Sequence, residues 1–165
     1  MYARILVPVD ASHAATAGMM EAARLARLCD ARLRLLHVAE AGLPSAEAIL
    51  YQVVPADLGS TALLAGAALL ERLRDDAMRE GAAVDSVLVE SDGRKVHEIV
   101  NEQAQAWEAE LLVLGTHGRR GIDRLLAGSV AEQVVRHAEI PVLLVRSTQV
   151  EGQDGGLQSI AAAIA

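Results

Sequence analysis

Five short aliphatic runs divide this chain, and each of the four gaps between them is too long for a hairpin. ARILVPV (3–9), ARLRLLHV (31–38), VDSVLVES (84–91), ELLVLG (110–115) and VLLVR (142–146) read as strands. Between the first two, Ala15, Met19, Ala22, Ala26 and Cys29 recur at spacings of three and four, one stripe of a helix over 13–29. Leu63, Gly66, Ala67, Leu70, Leu73 and Ala77 share a face of a second helix over 58–80, with Gly81 as its stop. Val96, Ile99, Val100 and Trp107 mark a third helix; Val130, Ala131, Val134, Val135 and Ala138 mark a fourth, which Pro141 closes. The alternation predicts an α/β fold, an open parallel sheet with helices on both faces. Strands 1, 4 and 5 are aliphatic almost throughout, as expected where both faces are covered, and the alternation in strand 2 suits shallower cover.

Composition narrows what such a sheet can serve. The chain has 165 residues and suits one domain, expected over 1–146, followed by a polar, glycine-rich linker and a short apolar tail at 147–165. Leu157, Ile160, Ala161 and Ile164 of that tail keep helical spacing, as for a frayed end or a docked helix. There is no Phe, so Ala, Leu, Val and Ile must build the core. A formal charge of -7 argues against a nucleic-acid partner, which rewards a basic face. Cys29 is alone and reads as a small buried hydrophobe. The histidines at 13, 37, 97, 117 and 137 lack paired metal-ligand spacing, which argues against zinc. The start enters a strand at once and no apolar run nears the ~20 residues that span a bilayer, so the expected location is the cytoplasm, without membrane contact. The connection at 39–57, with Gly42, Pro44 and Pro55, is long enough to suggest a functional or mobile segment.

The chemistry concentrates in GTHGRRGIDRLLAGS (115–129), between the fourth strand and the fourth helix. In an open parallel sheet ligands collect at the carboxyl ends of strands where chain order reverses; here that pairs this loop with the VPVDAS turn. Glycine admits φ > 0 and close backbone approach, and a helix N-terminus offers unpaired N–H groups, so Gly128 and Ser129 at the start of the fourth helix can cradle phosphate. The sole lysine, Lys95, lies in no G-x4-G-K-[S/T] setting, and the first strand is followed by VDASHAA without glycine. A P-loop and a dinucleotide fingerprint are thereby excluded.

What remains is G-x2-G-x9-G-[S/T], fitted by Gly115, Gly118, Gly128 and Ser129. Together with ILVPVD-x-S, LLHV, LLVLGTHGRRG and LLAGSVAEQVVRHAEIPVLLVR, this loop resembles the ATP-binding branch of the universal stress protein family over residues 3–146. The resemblance implies a Rossmann-like sheet of the adenine nucleotide alpha hydrolase type, with strand order 3-2-1-4-5. ATP, or AMP or ADP, would lie across the loops after strands 1 and 4. By the same resemblance Pro8, Val9 and Asp10 would line the adenosine side, and Val38 would meet adenine through its backbone. Leu114, Gly115 and Gly118 would run under ribose and phosphates, and Gly128, Ser129 and Val130 would bind phosphate. Asp10 would lie near the nucleotide or a Mg2+ or Mn2+ ion.

Plainer roles stay open beside these: a tight turn for Gly115 and Gly118, and helix capping for Ser129 and Asp10. His117 reads as a loop-ordering hydrogen-bonder and His13 as solvent-facing, while Arg119, Arg120 and Arg124 form either a solvated rim or a phosphate clamp. Phosphoryl transfer needs a base, metal ligands and charge clamps, and only Asp10 is assignable, with no base. HIGH-like and KMSKS-like strings do not occur. The sequence therefore favours a nucleotide-binding regulatory protein with at most slow hydrolysis over a slow ATPase or an interaction scaffold. The aliphatic VLLV edge, guarded only by Arg146, predicts a homodimer through strand 5, which the resemblance also implies.

Overall fold

The computed structural model describes residues 1–40, 58–116 and 130–147. Five strands, β1 (Arg4–Pro8), β2 (Arg32–Ala39), β3 (Ala83–Glu90), β4 (Leu111–Thr116) and β5 (Val142–Arg146), form one sheet in the order β3-β2-β1-β4-β5. Every pairing is parallel. Four helices connect them: α1 (His13–Cys29), α2 (Leu58–Arg79), α3 (Val96–Ala106) and α4 (Val130–His137). The predicted fold, a doubly covered parallel sheet, is the one found, and the expected order 3-2-1-4-5 is the order found.

The pleat sorts each strand's aliphatic side chains into two cores. Ile5, Val7, Leu33, Leu35, Leu111 and Val113 face Met19, Ala22, Ala23 and Ala26 of α1 and Leu70, Leu73 and Ala77 of α2. Leu6, Leu36, Leu112 and Leu114 face Val100 and Ala104 of α3 and Val134 of α4. Successive residues therefore serve opposite layers, which a chain built as continuous Leu/Val/Ile runs permits without a polar side. Alanine supplies most of the buried face of α1, so that helix sits close to the sheet. Cys29 is half-buried against the α1 core as a small hydrophobe.

Local chemistry sets the helix ends. Ser12 caps α1, its Oγ accepting the Ala15 N–H at 3.1 Å. Asp30 takes the left-handed conformation at the other end with φ 53°. Gly81, at φ 85°, stops α2 where a residue with Cβ would be strained. Trp107 proves to be the C-cap of α3 and not an inner residue of its apolar stripe.

Three expectations change. β5 takes the edge that the expected order gives it, but it is not covered on both faces: Leu143 and Leu144 are 37% and 49% exposed. β2 is deeply covered, with Leu33, Leu35 and Leu36 fully buried, since it lies between β1 and β3. Ala67 is exposed although its neighbours Gly66 and Leu70 are buried. The apparent polar side of β2 comes from the exposed Arg32 and from Arg34, both paired with Asp85. The Arg34 guanidinium forks onto both carboxylate oxygens of Asp85 on β3, at 2.6 and 2.8 Å, and stacks 4.4 Å from the Trp107 ring centroid.

That stack ties β2, β3 and the end of α3 together. Arg34→Ala is expected to lower the unfolding free energy by about 2 kcal/mol, and Arg34→Lys to restore only a minor part, because an ammonium cannot bridge two oxygens while lying flat on an indole. Urea denaturation of both variants checks this.

Candidate functional site

The register explains where a ligand can enter. β1 and β2 stay paired over five residues, Arg4↔Arg32 to Pro8↔Leu36, whereas β1 and β4 pair only at Ile5↔Leu111 and Leu6↔Leu112. Beyond Leu6 and Leu112 the two central strands part, and their crossovers run to opposite sides of the sheet. A crevice therefore opens at the carboxyl edge, where open α/β sheets hold their ligands.

The crevice is a cavity of about 310 Å3. Pro8, Val9 and Asp10 form one wall as the chain leaves β1, and Leu114, Gly115 and Thr116 form the opposite one at the end of β4. Val38 closes the side towards β2, and Val130, Ala131 and Val134 of α4 close the far side. All seven of the nominated residues that fall within the described part, Pro8, Val9, Asp10, Val38, Leu114, Gly115 and Val130, thus line one cavity. Gly118, Gly128 and Ser129 lie outside the described residues, as do His117, Arg119, Arg120, Arg124 and the 39–57 connection beyond Glu40. His13 is exposed.

The cap of α1 separates the roles of Asp10 and Ser12. Ser12, not Asp10, is the N-cap, while Asp10 Oδ1 accepts the Ser12 N–H at 2.8 Å in a tight turn. That bond orients an exposed carboxylate at the cavity mouth. Among the described lining residues the charged side chains are Asp10 and Glu40, both acidic, and no Lys or Arg is present. The described wall can therefore bind an anion only through main-chain amides or through a cation that Asp10 helps to hold.

Gly115 has a structural duty the sequence did not reveal. It lies within β4, outside the positive-φ region, so backbone freedom is not the reason for it. A Cβ built there would lie 1.7 Å from the carbonyl oxygen of Ala14, and one on Gly18 would lie 2.7 Å from the Gly115 amide nitrogen. The close approach that glycine permits at 115 is the approach of α1 itself, whose first turns rest backbone on backbone against the end of β4.

Sequence reasoning also missed Ser12, His37, Glu40, Val96 and Thr116 on the cavity wall. One signal could have found several of them. In a parallel sheet every strand-to-helix junction lies at one edge, so Glu40 after β2 and Val96 opening α3 face the same crevice as Asp10. His37 carried no such signal, because its place depends on a bond to Val9 (Nδ1 to the carbonyl oxygen, 2.8 Å) across a strand boundary. No group of three or more His, Cys, Asp or Glu able to hold a metal ion occurs among the described residues. No helix among them is long and apolar enough to cross a membrane.

Comparison with known proteins places this architecture. The sequence profile described as the universal stress protein family matches residues 1–146. A universal stress protein of Methanocaldococcus jannaschii is 30% identical over 155 residues, covering 92% of this chain and 86% of the relative. The structure of a universal stress protein from Lactobacillus plantarum superposes with a TM-score of 0.65 at 29% identity, covering 88% of this chain and 98% of that one. The universal stress protein of Archaeoglobus fulgidus in complex with dAMP shares the fold at 24% identity and a TM-score of 0.60, covering 87% and 97%.

The glycine contact gives a prediction independent of any ligand. Gly115→Ala should lower the unfolding free energy by about 3 kcal/mol, an overpacking cost that backbone against backbone cannot relax away. A urea midpoint equal to that of the parent protein would show that α1 does not rest on β4 as described.

Proposed function

Because the chain belongs to the universal stress protein family, we propose that it is an adenine-nucleotide-binding regulatory protein, with ATP in the crevice between β1 and β4. The observation that carries this reading is the convergence of Pro8, Val9, Asp10, Val38, Leu114, Gly115 and Val130 on one cavity at the point where the two central strands part. A relative of the same fold binds dAMP, which makes an adenine nucleotide the first ligand to test.

The base end lies by Val38, between aliphatic walls that exclude water from a purine. Asp10, held by the Ser12 amide, faces the ribose or the cation that accompanies the phosphates. A single exposed carboxylate suits Mg2+ or Mn2+, whose remaining oxygens come from phosphate and water, and does not suit a metal held by protein alone. In this reading Gly118, Gly128 and Ser129 present main-chain amides and a hydroxyl to the phosphates at the front of α4. With no Lys or Arg among the described lining residues, amides are the donors this reading offers the phosphates. No described cavity residue stands as a general base for attacking water apart from carboxylates placed for binding and an imidazole occupied by Val9. Occupancy, with at most slow hydrolysis, is the function we assign.

A second copy of this chain is the partner we propose for β5. Leu143 and Leu144 are exposed on an edge strand whose backbone groups can pair with those of a twofold-related copy.

Two measurements test these assignments. Mass spectrometry of the denatured, purified protein should release an adenine nucleotide, and Gly128→Val should weaken ATP binding at least about tenfold by calorimetry with the urea midpoint retained. Unchanged affinity in that variant, or no binding of ATP, ADP or AMP by the parent protein, contradicts the site. For the dimer, light scattering at micromolar concentration should give twice the chain mass, and Leu144→Glu should give the monomer; a monomeric parent protein contradicts it.

A further inference from the structure

The β1/β2 ladder ends in an unusual way at the cavity. The Val9 N–H donates to the Leu36 carbonyl at 2.8 Å, continuing the register Pro8↔Leu36. In a parallel ladder the next rung runs from the Val38 N–H to the Val9 carbonyl, because alternate residues of one strand point to the same neighbour. That rung is replaced: the Val9 carbonyl takes the His37 side chain, Nδ1 at 2.8 Å. A carbonyl only accepts, so Nδ1 carries the proton. Val38 itself lines the cavity.

The imidazole is held there by a slot. A Cβ on Gly66 of α2 would lie 2.6 Å from His37 Cδ2 and 2.9 Å from Leu88 Cδ1, so the ring occupies the space that a missing side chain leaves. Gly66 is buried, and it sits within α2, where alanine would otherwise favour the helix. A helix-weakening residue stands where the ring needs room.

We infer that His37 is a positioning residue for the purine: by capping the Val9 carbonyl it ends the ladder one rung early and reserves the Val38 amide as a donor to a ring nitrogen of the base. This rests on the reading of the cavity as an adenine-nucleotide site and adds how that site selects a base. The same cap fixes the carbonyl immediately before Asp10, so one side chain sets both ends of the adenosine wall.

Amide hydrogen exchange together with calorimetry tests this on the full-length protein. In the nucleotide-free parent, the Val38 amide should exchange far faster than that of Leu36, and ATP should protect it. In His37→Leu the ladder can close, so Val38 should become protected without ATP, and ATP affinity should fall about tenfold. Inorganic tripolyphosphate, which has no base, should bind both proteins equally. His37→Asn, whose amide nitrogen stands at a similar reach to Nδ1, should restore ATP affinity to within about threefold of the parent. Gly66→Ala, which evicts the ring without altering a cavity residue, should behave as His37→Leu. Protection of Val38 in the nucleotide-free parent, or unchanged ATP affinity in His37→Leu, overturns the inference while leaving nucleotide binding intact. An absence of any exchange change when ATP is added to the parent overturns the nucleotide site itself, and the inference with it.

Discussion

The first turns of α1 lie directly on the backbone at the end of β4, and the crevice exists in its present form because of that contact. Gly115 has the Ala14 carbonyl where a Cβ would be, and Gly18 has the Gly115 amide. Two missing side chains let a helix and a strand touch main chain to main chain. The helix then packs over β1 and β4 near the point where those strands stop pairing at Leu6 and Leu112. Its cap, Ser12, and the turn at Asp10 are thereby brought opposite Leu114, Gly115 and Thr116. Larger residues would hold α1 away and widen the crevice, since a packed interior has no slack to absorb a methyl group against backbone.

Charge follows from the same geometry. The described cavity wall holds Asp10 and Glu40 and no basic side chain. Several of the basic groups described elsewhere are engaged in ion pairs: Arg34 with Asp85, Arg94 with Asp92 and Glu102, Arg136 with Glu132. Among the described residues, then, no positive side chain lines the crevice. A net charge of -7 likewise disfavours general affinity for polyanions.

Much of the fold was legible because it is written in local periods. The helix expected over 13–29 is His13–Cys29, and the strand expected over 142–146 is Val142–Arg146. The other boundaries moved by a residue or two, as at Arg4–Pro8 and Leu111–Thr116, where the flanking Ala3, Val9 and Glu110 each make a single backbone bond to a neighbouring strand. That residues nominated through motif and resemblance would share one cavity was also legible: Pro8, Val9, Asp10, Val38, Leu114, Gly115 and Val130 all line it. The reason for Gly115 was not legible, because a glycine that makes room for a ligand and one that makes room for a helix look alike in a string. Nor was the exposure of Leu143 and Leu144, because an aliphatic edge strand does not say how far its neighbouring helices cover its faces.

The sequence alone determined which segments are strands and helices and that the strands run parallel. Those features depend on spacings of two to four residues and on crossover length, which any unfolded copy of the chain already carries. The order of the strands came from family resemblance, not from the residues themselves. Only the tertiary structure decided that Leu143 and Leu144 of β5 stay partly uncovered, that Gly115 serves α1, and that His37 caps Val9 beside Gly66. Each of these joins residues from different elements, and such meetings are fixed by register and packing across the sheet, for which a linear pattern has no coordinate.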